Sequence, residues 1–315
     1  MSDTSFTQKK IEVSFTIFDS NGNQKTRTFN GLRVSCQIVN AGVEAGSMCA
    51  LRIEGMSLSV MNALSVVQAG IIAQSNNTVT VRASDGGQWQ EVFYGGVTEG
   101  FVDFGGAPNV AFMVTAMSMS ILSATKISTT QFNGAVSVAD ILQAIATKAG
   151  LTFENNGVTA VTSGPVYYEG TAADQLSRVR DAFRIVYFVS MNTLRVWPYE
   201  YLADEQYQVE VSADTGMMGY PAYSQGGTAV RTLFNSQISF HTTIKLNSQY
   251  SPAGWLAANG QISGVSGGAT HLPSNGLWVV VNVQHDLQSE TPDGQWTTYF
   301  EAARPDMAGQ VYFGR

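Results

Sequence analysis

The chain has 315 residues and a formal net charge of −7 at pH 7, and only 13% of its residues are charged. The length predicts two domains or one large all-β unit. No basic run is longer than Lys9–Lys10, which argues against a protein that grips nucleic acid, because such proteins need clustered Lys and Arg to displace counterions.

Neutral polar residues and 31 glycines take the place of the missing charges. Such a surface prevents aggregation less well than charge does, so we expect partner surfaces to cover part of it. The opening segment MSDTSFTQKK has no apolar core, and the longest apolar stretches are too short for a membrane span. We therefore expect a soluble protein that is made in a cytoplasm.

Residues 1–118 read as a β-barrel or sandwich. Apolar and polar residues alternate from Ile11 to Ile17, and Asn21–Gly22 supplies a turn. Cys36 and Cys49 fall on alternating apolar faces of neighbouring strands, which favours buried free thiols and leaves a disulfide open. Further strands are predicted over residues 32–39, 49–55, 78–83, 91–97 and 110–116, with a short helix over residues 59–68.

The pattern becomes helical after residue 118, and residues 119–165 and 166–205 read as one or two small α/β domains. A helix is predicted over residues 137–149, where Ser137 and Asp140 form a capping box and Gly150 follows the last turn. A second helix is predicted over residues 171–184, with Thr171 and Asp174 as its capping pair. A tight hairpin that turns at Met191–Asn192 follows it.

Residues 206–315 read as strands again and predict a second barrel. The extended segments are GGTAVRTLF, QISFHTTIKLNS, LWVVVNVQHDL and QWTTYFEA, and QSETPDGQ joins the last two as a hairpin connection. The predicted fold class is therefore β-rich α+β, with two barrel domains and one or two small α/β domains inserted between them.

The most tempting catalytic motif is GVSGG, Gly264–Gly268, a literal G-x-S-x-G match around Ser266. A nucleophile elbow needs a strand before the serine and a helix after it. Here the motif lies in a glycine-rich loop, and no Asp or Glu occurs between Ser266 and His285 to complete a triad. A catalytic Ser266 is therefore disfavoured.

His285 and Asp286 stand together in a strand-like stretch, but adjacent strand residues face opposite sides, so the two are not expected to pair. His241 and His271 lack metal-ligand spacing, and the acidic cluster of Glu200, Asp204 and Glu205 reads as a solvated loop. We predict no enzyme activity and no catalytic, cofactor-binding or metal-binding residues, and hence no cofactor.

Two stretches of the chain resemble phage tail baseplate hub proteins, a contractile-tail family with two tube-type barrels. The first stretch resembles the first barrel of these hubs, through the segments CALRIEGMSLSVMNALS, VTVRAS and EVFYGGVTEGFVDF. The second stretch resembles the segment that enters their second barrel, and it reads VSADTGMMGYPAYSQGGTAVRTLFNSQISFHTTIKLNSQ. Ser236 departs from the family pattern, which has proline there. The hairpin from Gly276 to Pro305 resembles the closing hairpin of the family. The matching positions are Leu51, Ile53, Gly55, Met56, Leu64, Val79, Val92, Phe93 and Gly95 in the first, and Thr215, Gly216, Met217, Met218, Gly219, Pro221, Leu233, Phe234, Asn235, Ile238, Ile244, Leu246 and Ser248 in the second.

The resemblance implies a trimeric structural hub that adapts a sixfold tail tube to a threefold central spike. The implied partners are a homotrimer, the spike, the tail tube protein, the tape-measure protein and baseplate wedge proteins, with DNA only as passing cargo in the lumen. A lumen without positive charge would let DNA pass without sticking. The implied location is the virion tail baseplate, assembled in the host cytoplasm without membrane insertion.

Residues 1–9 and 306–315 are candidate docking arms, although frayed termini explain them equally well. The alternative function is the hub of a type VI or phage-tail-like contractile injection system, and a tail-associated cell-wall hydrolase is the rival from a different class. The hydrolase would need an acidic dyad or a metal set that the sequence does not offer.

Overall fold

A computed structural model describes residues 7–18, 23–40, 46–65, 77–199, 207–224, 227–249 and 274–305. The chain divides into two compact units. Unit 1 consists of Met1–Pro198 and Asp286–Gln295, and unit 2 of Tyr199–His285 and Trp296–Arg315.

The helices and strands of the first 198 residues belong to unit 1. Its strands are Lys10–Phe18 (β1), Gln24–Phe29 (β2), Arg33–Asn40 (β3), Ser47–Glu54 (β4), Thr78–Ser84 (β5), Gln90–Asp103 (β6), Ala111–Met117 (β7), Thr130–Phe132 (β8), Thr152–Asn155 (β9), Val166–Tyr168 (β10), Ile185–Ser190 (β11) and Thr193–Pro198 (β12). Its helices are Leu58–Leu64 (α1), Ser120–Ala124 (α2), Val138–Ala149 (α3) and Ala172–Phe183 (α4).

The remaining elements begin in unit 2. They are the strands Gln208–Ser212 (β13), Ala222–Ser224 (β14), Gly227–Leu233 (β15), Thr243–Asn247 (β16), Gly276–Ser289 (β17) and Trp296–Ala303 (β18), with a 3-10 turn over Ala213–Thr215. None of the helices in the described part of the chain has the length and apolar character that a membrane crossing requires.

The main sheet of unit 1 follows from the period-two pattern of its strands. Val13 and Phe15 of β1 are buried, while Ser14 and Thr16 on the other face form hydroxyl hydrogen bonds of 2.8 and 3.1 Å to threonines of β2. The strands pair in the order β17–β3–β4–β7–β6–β5–β1–β2, and the pairs from β3 to β2 are antiparallel. This order starts and ends on different strands, so no closed barrel is seen among the described strands, and the tube-type barrel stays a prediction.

Helices α3 and α4 pack with β11 and β12 in one hydrophobic cluster. The cluster draws on both segments that the sequence divides at residue 165, through Val138, Ile141, Leu142 and Ile145 of α3 and Leu176 and Val179 of α4. Ser118 ties the cluster's strand β11 to the main sheet: its hydroxyl donates to the carbonyl oxygen of Val189 at 2.8 Å and accepts from the Ser47 amide at 2.9 Å.

The two helix starts differ from each other. Thr171 and Asp174 form the complete capping box, with hydrogen bonds of 3.1 and 2.9 Å in the two directions. The hydroxyl of Ser137 accepts from the amide of Asp140 at 3.0 Å, but the Ser137 amide does not donate to the Asp140 carboxylate, so the capping box predicted there is only half present. Gly150 ends α3 in the left-handed conformation, with φ of 72°.

Unit 2 is a six-stranded sheet in the order β14–β15–β18–β17–β16–β13, where β13 runs parallel to β16. Trp278, Val280 and Phe300 lie at the centre of its core. The predicted strand QISFHTTIKLNS is extended only over β16, because His241 has a positive φ of 64° and the chain turns there. Buried Ile238 and Phe240 mimic strand alternation while lying in that turn.

Candidate functional site

His285 is a buried residue in the interior of unit 2. Its Nδ1 lies 2.9 Å from the hydroxyl oxygen of Thr298, which also accepts a hydrogen bond from the amide of Asn235 at 3.1 Å. The ring of Phe234 packs edge-on against the imidazole, with 5.4 Å between the ring centroids. The imidazole thus joins β17, β18 and the segment after β15.

Asp286 belongs to unit 1, and its carboxylate accepts a hydrogen bond of 3.0 Å from the side-chain amide of Gln37 on β3. His285 and Asp286 therefore point to opposite faces of β17, as the strand period predicts.

Asp286 lines a groove of about 510 Å³ in unit 1. The groove lies on the face of β3, β4, β6 and β7 that is opposite the core, and Gln288 and Gln295 close one side of it. Its side chains offer amides, carboxylates and hydroxyls, which suit the binding of a polar surface. Its lining contains no arrangement of nucleophile and base that would support catalysis.

Arg52 is held at the groove between two carboxylates. Its guanidinium lies 3.1 Å from Glu54 and 3.1 Å from Asp103, and these contacts raise its pKa, with Glu54 the larger cause. Asp103 also accepts from the amide of Gly105 at 2.8 Å, and this bond, followed by Arg52, lowers the pKa of its carboxyl. The positive charge of Arg52 is therefore neutralised within the groove, whereas Glu99 forms no ion pair with a described residue.

Two groups of buried titratable residues lie elsewhere. Burial lowers the pKa of His241 to about 3, so its imidazole is neutral at physiological pH. Cys36 and Cys49 are free and buried, with 3.8 Å between their sulfurs, and burial raises the pKa of the Cys49 thiol.

The other candidates from the sequence lie outside the described residues: Ser266 with GVSGG, His271, the cluster of Glu200, Asp204 and Glu205, the turn at Asn21–Gly22, residues 1–6 and residues 306–315. Within the described ranges, no group of three or more His, Cys, Asp or Glu side chains is placed to hold a metal ion.

Unit 1 has an open backbone edge in the second half of β6. The first half of β6, up to Gly96, pairs with β5 on one side and the second half, Glu99–Asp103, pairs with β7 on the other. No described strand pairs with the free side of Glu99–Asp103. Phe101 in this segment and Phe104 just after it are 42% and 59% exposed. We call Glu99, Phe101 and Phe104 patch 1.

Unit 2 has an open edge at β14, which pairs only with β15 among the described strands. The chain before β14 also lies along β15, because the Met218 amide donates to the carbonyl oxygen of Arg231 at 2.8 Å. Met218, Tyr220 and Leu233 are large exposed apolar side chains beside Arg231, which forms no ion pair with a described residue. We call Met218, Tyr220, Arg231 and Leu233 patch 2.

Sequence reasoning missed the groove and both patches, although a signal for the groove was present. Ser35 and Gln37 on β3 and Ala50 and Arg52 on β4 are the alternate residues of strands whose other face is apolar. The sequence carries no such signal for the patches, because long-range strand pairing decides which strand edges stay open.

A protein-family model described as "Baseplate hub gp41" matches residues 10–257 of the chain. No curated protein sequence matches the chain.

Solved structures with similar folds include a 43 kDa tail protein of prophage MuSo2 from Shewanella oneidensis, with a TM-score of 0.57 and 11% identity over 94% of this chain and 98% of that chain. A tail protein from Neisseria meningitidis MC58 has a TM-score of 0.54 and 8% identity over 96% of this chain and 99% of that chain. At these identities the two structures support the fold alone. A structure described as a PdpA-VgrG complex has a TM-score of only 0.43, too low to support an argument.

Proposed function

The chain belongs to the baseplate hub gp41 family, whose model spans residues 10–257, and from this membership we propose that the protein is a structural hub at the tip of a phage tail. The family match is the observation that carries the proposal. It places the protein in the virion tail baseplate, in agreement with the resemblance that the sequence itself shows to phage baseplate hubs.

We propose that three copies form a ring that adapts the sixfold tail tube to the threefold central spike and leaves a channel for DNA. In this arrangement residues 1–118 and 206–315 each supply one tube-type barrel, and residues 119–165 and 166–205 supply the small α/β domains between them. The presence of two compact units, each with a largely antiparallel sheet and its own hydrophobic core, supports such a doubling.

The proposed partners are the spike, the tail tube protein, the tape-measure protein and the baseplate wedge proteins, with DNA only passing through, and assembly takes place in the host cytoplasm. The role is structural and not enzymatic. Membership of the baseplate hub family supports this view. In the groove of unit 1, the only cation among the described lining residues, Arg52, is neutralised by carboxylates, so the groove would not retain passing phosphates.

The solution mass of the purified chain, measured by light scattering over a range of concentrations, tests the ring. We expect a mass near three times the 33.8 kDa of one chain. A chain that is monomeric alone is then measured after co-expression with its spike, which can act as a template. A chain that stays monomeric there too would contradict the ring.

The alternative, a hub of a type VI or phage-tail-like injection system, predicts neighbouring genes without capsid or terminase. A cell-wall hydrolase predicts clearing in a peptidoglycan zymogram. No specific observation on the described residues favours either.

A further inference from the structure

We propose that the open half of β6 in one copy docks against the β14 edge in unit 2 of the next copy, so that patch 1 meets patch 2 and the ring closes head to tail. This inference rests on the proposed function and names the surface that would carry it. The occupant of each edge is thus a second copy of this chain.

Both edges present backbone groups that no described strand satisfies. An exposed strand edge is a template for pairing with another chain, and natural proteins either guard such an edge or use it. Glu99–Asp103 offers five residues and β14 offers three, beside the segment at Met218 that already runs along β15. Neither Glu99–Asp103 nor β14 contains a lysine or a proline; Pro221 lies just before β14, at the end of the segment that includes Met218.

Strands β2 and β13 are two further open edges among the described strands, and they differ in this respect. Strand β2 pairs only with β1 among the described strands, but it carries Lys25 and Arg27, the kind of charge that guards an edge against pairing. Strand β13 pairs only with β16 among the described strands, and its exposed Glu210 is opposite Lys245 in the register. These two edges therefore read as protected ends of the sheets.

The two patches also carry the side chains that protein interfaces favour. Aromatic residues, Met and Arg are enriched at the cores of protein interfaces, and patch 1 offers Phe101 and Phe104 while patch 2 offers Met218, Tyr220 and Arg231. Five of the nine large exposed apolar side chains among the described residues lie in these two patches, and none lies on β2.

The two patches are complementary in charge. Glu99 of patch 1 and Arg231 of patch 2 have no ion-pair partner among the described residues, and they carry opposite signs. Each lies on a strand next to the open edge, on the face where the exposed apolar side chains of its patch lie. Opposite charges at corresponding places on two different surfaces favour one register of docking.

The geometry of the contact also fixes the kind of assembly. Patch 1 and patch 2 are different surfaces, so their contact is heterologous, and heterologous contacts close into rings when the rotation between copies allows it. A self-complementary contact, in which the same patch meets itself, would instead give a twofold dimer.

A charge-swap experiment on the full chain tests the contact. We expect Glu99→Arg and Arg231→Glu each to weaken self-association by about tenfold or more, and the double variant to recover association to within about threefold of the unmodified chain. Light scattering over a concentration series gives these values. Recovery in the double variant also shows that the single variants lose association for a reason other than misfolding.

Matched controls use the protected edges. Lys25→Glu on β2 and Glu210→Arg on β13 reverse the same charges elsewhere, and we expect neither to change the mass. If both single variants, Glu99→Arg and Arg231→Glu, keep the mass of a trimer, the proposed edge contact is wrong although the ring exists. An unmodified chain that is monomeric with and without the spike would overturn both.

Cross-linking gives a second, independent measurement. One sample carries Glu99→Cys and the other Arg231→Cys, and the two are mixed and oxidised; the native cysteines are buried and should not react. We expect disulfide-linked pairs only in the mixture. Links within either single sample, or no link in a mixture that is trimeric by mass, would contradict the proposed contact.

Discussion

At the scale of single residues, His241 couples the stability of unit 2 to pH. Its pKa is about 3 in the folded chain because the imidazole is buried. As the pH falls below the ordinary value near 6.5, the unfolded chain takes up the proton and the folded chain does not, so stability is lost between about pH 6.5 and pH 3.

The variant His241→Asn should remove this dependence. Asn tolerates the left-handed backbone that His241 adopts, with φ of 64°. We expect the unmodified chain to lose stability relative to the variant by up to about 1.4 kcal/mol per pH unit below 6.5. Urea unfolding of both proteins at pH 7, 6 and 5 measures this difference in the free energy of unfolding. The contributions of the carboxylates cancel in the difference, because both proteins contain them. If the free energy of unfolding depends on pH in the same way in both proteins, His241 is not the cause.

Gly95, one of the positions that match the baseplate-hub pattern, is a glycine for a steric reason. A Cβ on Gly95 would lie 2.7 Å from the carbonyl oxygen of Met117, on the neighbouring strand β7. The close approach of β6 to the end of β7 thus requires glycine.

At the scale of elements, the two helix caps allow a matched comparison. Thr171→Ala removes one half of a complete capping box and leaves Asp174, whose pKa is lowered mainly by the Thr171 amide, with fewer partners. Ser137→Ala removes a single bond at α3. We expect losses of about 1 to 2 kcal/mol for Thr171→Ala and about 0.5 to 1 kcal/mol for Ser137→Ala in urea unfolding. Thr171→Ala keeps the backbone amide that donates to Asp174, so equal losses would mean that the two bonds of the capping box do not strengthen each other.

The sequence predicted those elements whose signals are local. Ser137, Thr171 and Gly150 mark helix ends, and the hairpin at Met191–Asn192 has the two positive φ angles that such turns require. It did not predict the three-residue strands β8, β10 and β14, which are too short to show a period, or the full length of β6. The turn at His241 escaped because burial of Ile238 and Phe240 follows the same alternation as a strand.

The candidate site was less predictable than the fold. The opposite orientation of His285 and Asp286 follows from the strand period alone. Their partners do not, because Thr298 lies 13 residues from His285 in the sequence and Gln37 lies 249 residues from Asp286. Such partners are fixed by strand pairing across the whole chain, which a single sequence does not reveal.

At the scale of the whole molecule, membership of a baseplate hub family confirms the resemblance seen in the sequence, and the β-rich fold matches the predicted strand pattern. The closed barrels, the domain boundaries and the trimer stay proposals. The two experiments above address the trimer: the solution mass tests the ring, and the charge swap tests the contact that closes it.

Strand β17 returns the chain to unit 1 at Asp286–Gln295, where it takes the place next to β3 in the strand order. The ribosome therefore has to synthesise most of the polypeptide before the first unit can be completed. We expect a fragment that ends at Pro198 to expose β3 as a bare edge and to aggregate, which sedimentation of the expressed fragment would measure; a soluble, monomeric fragment would show that unit 1 folds without its last strand. The same late arrival would delay formation of a finished hub until Gln295 has been synthesised, so that shorter chains cannot enter the assembly.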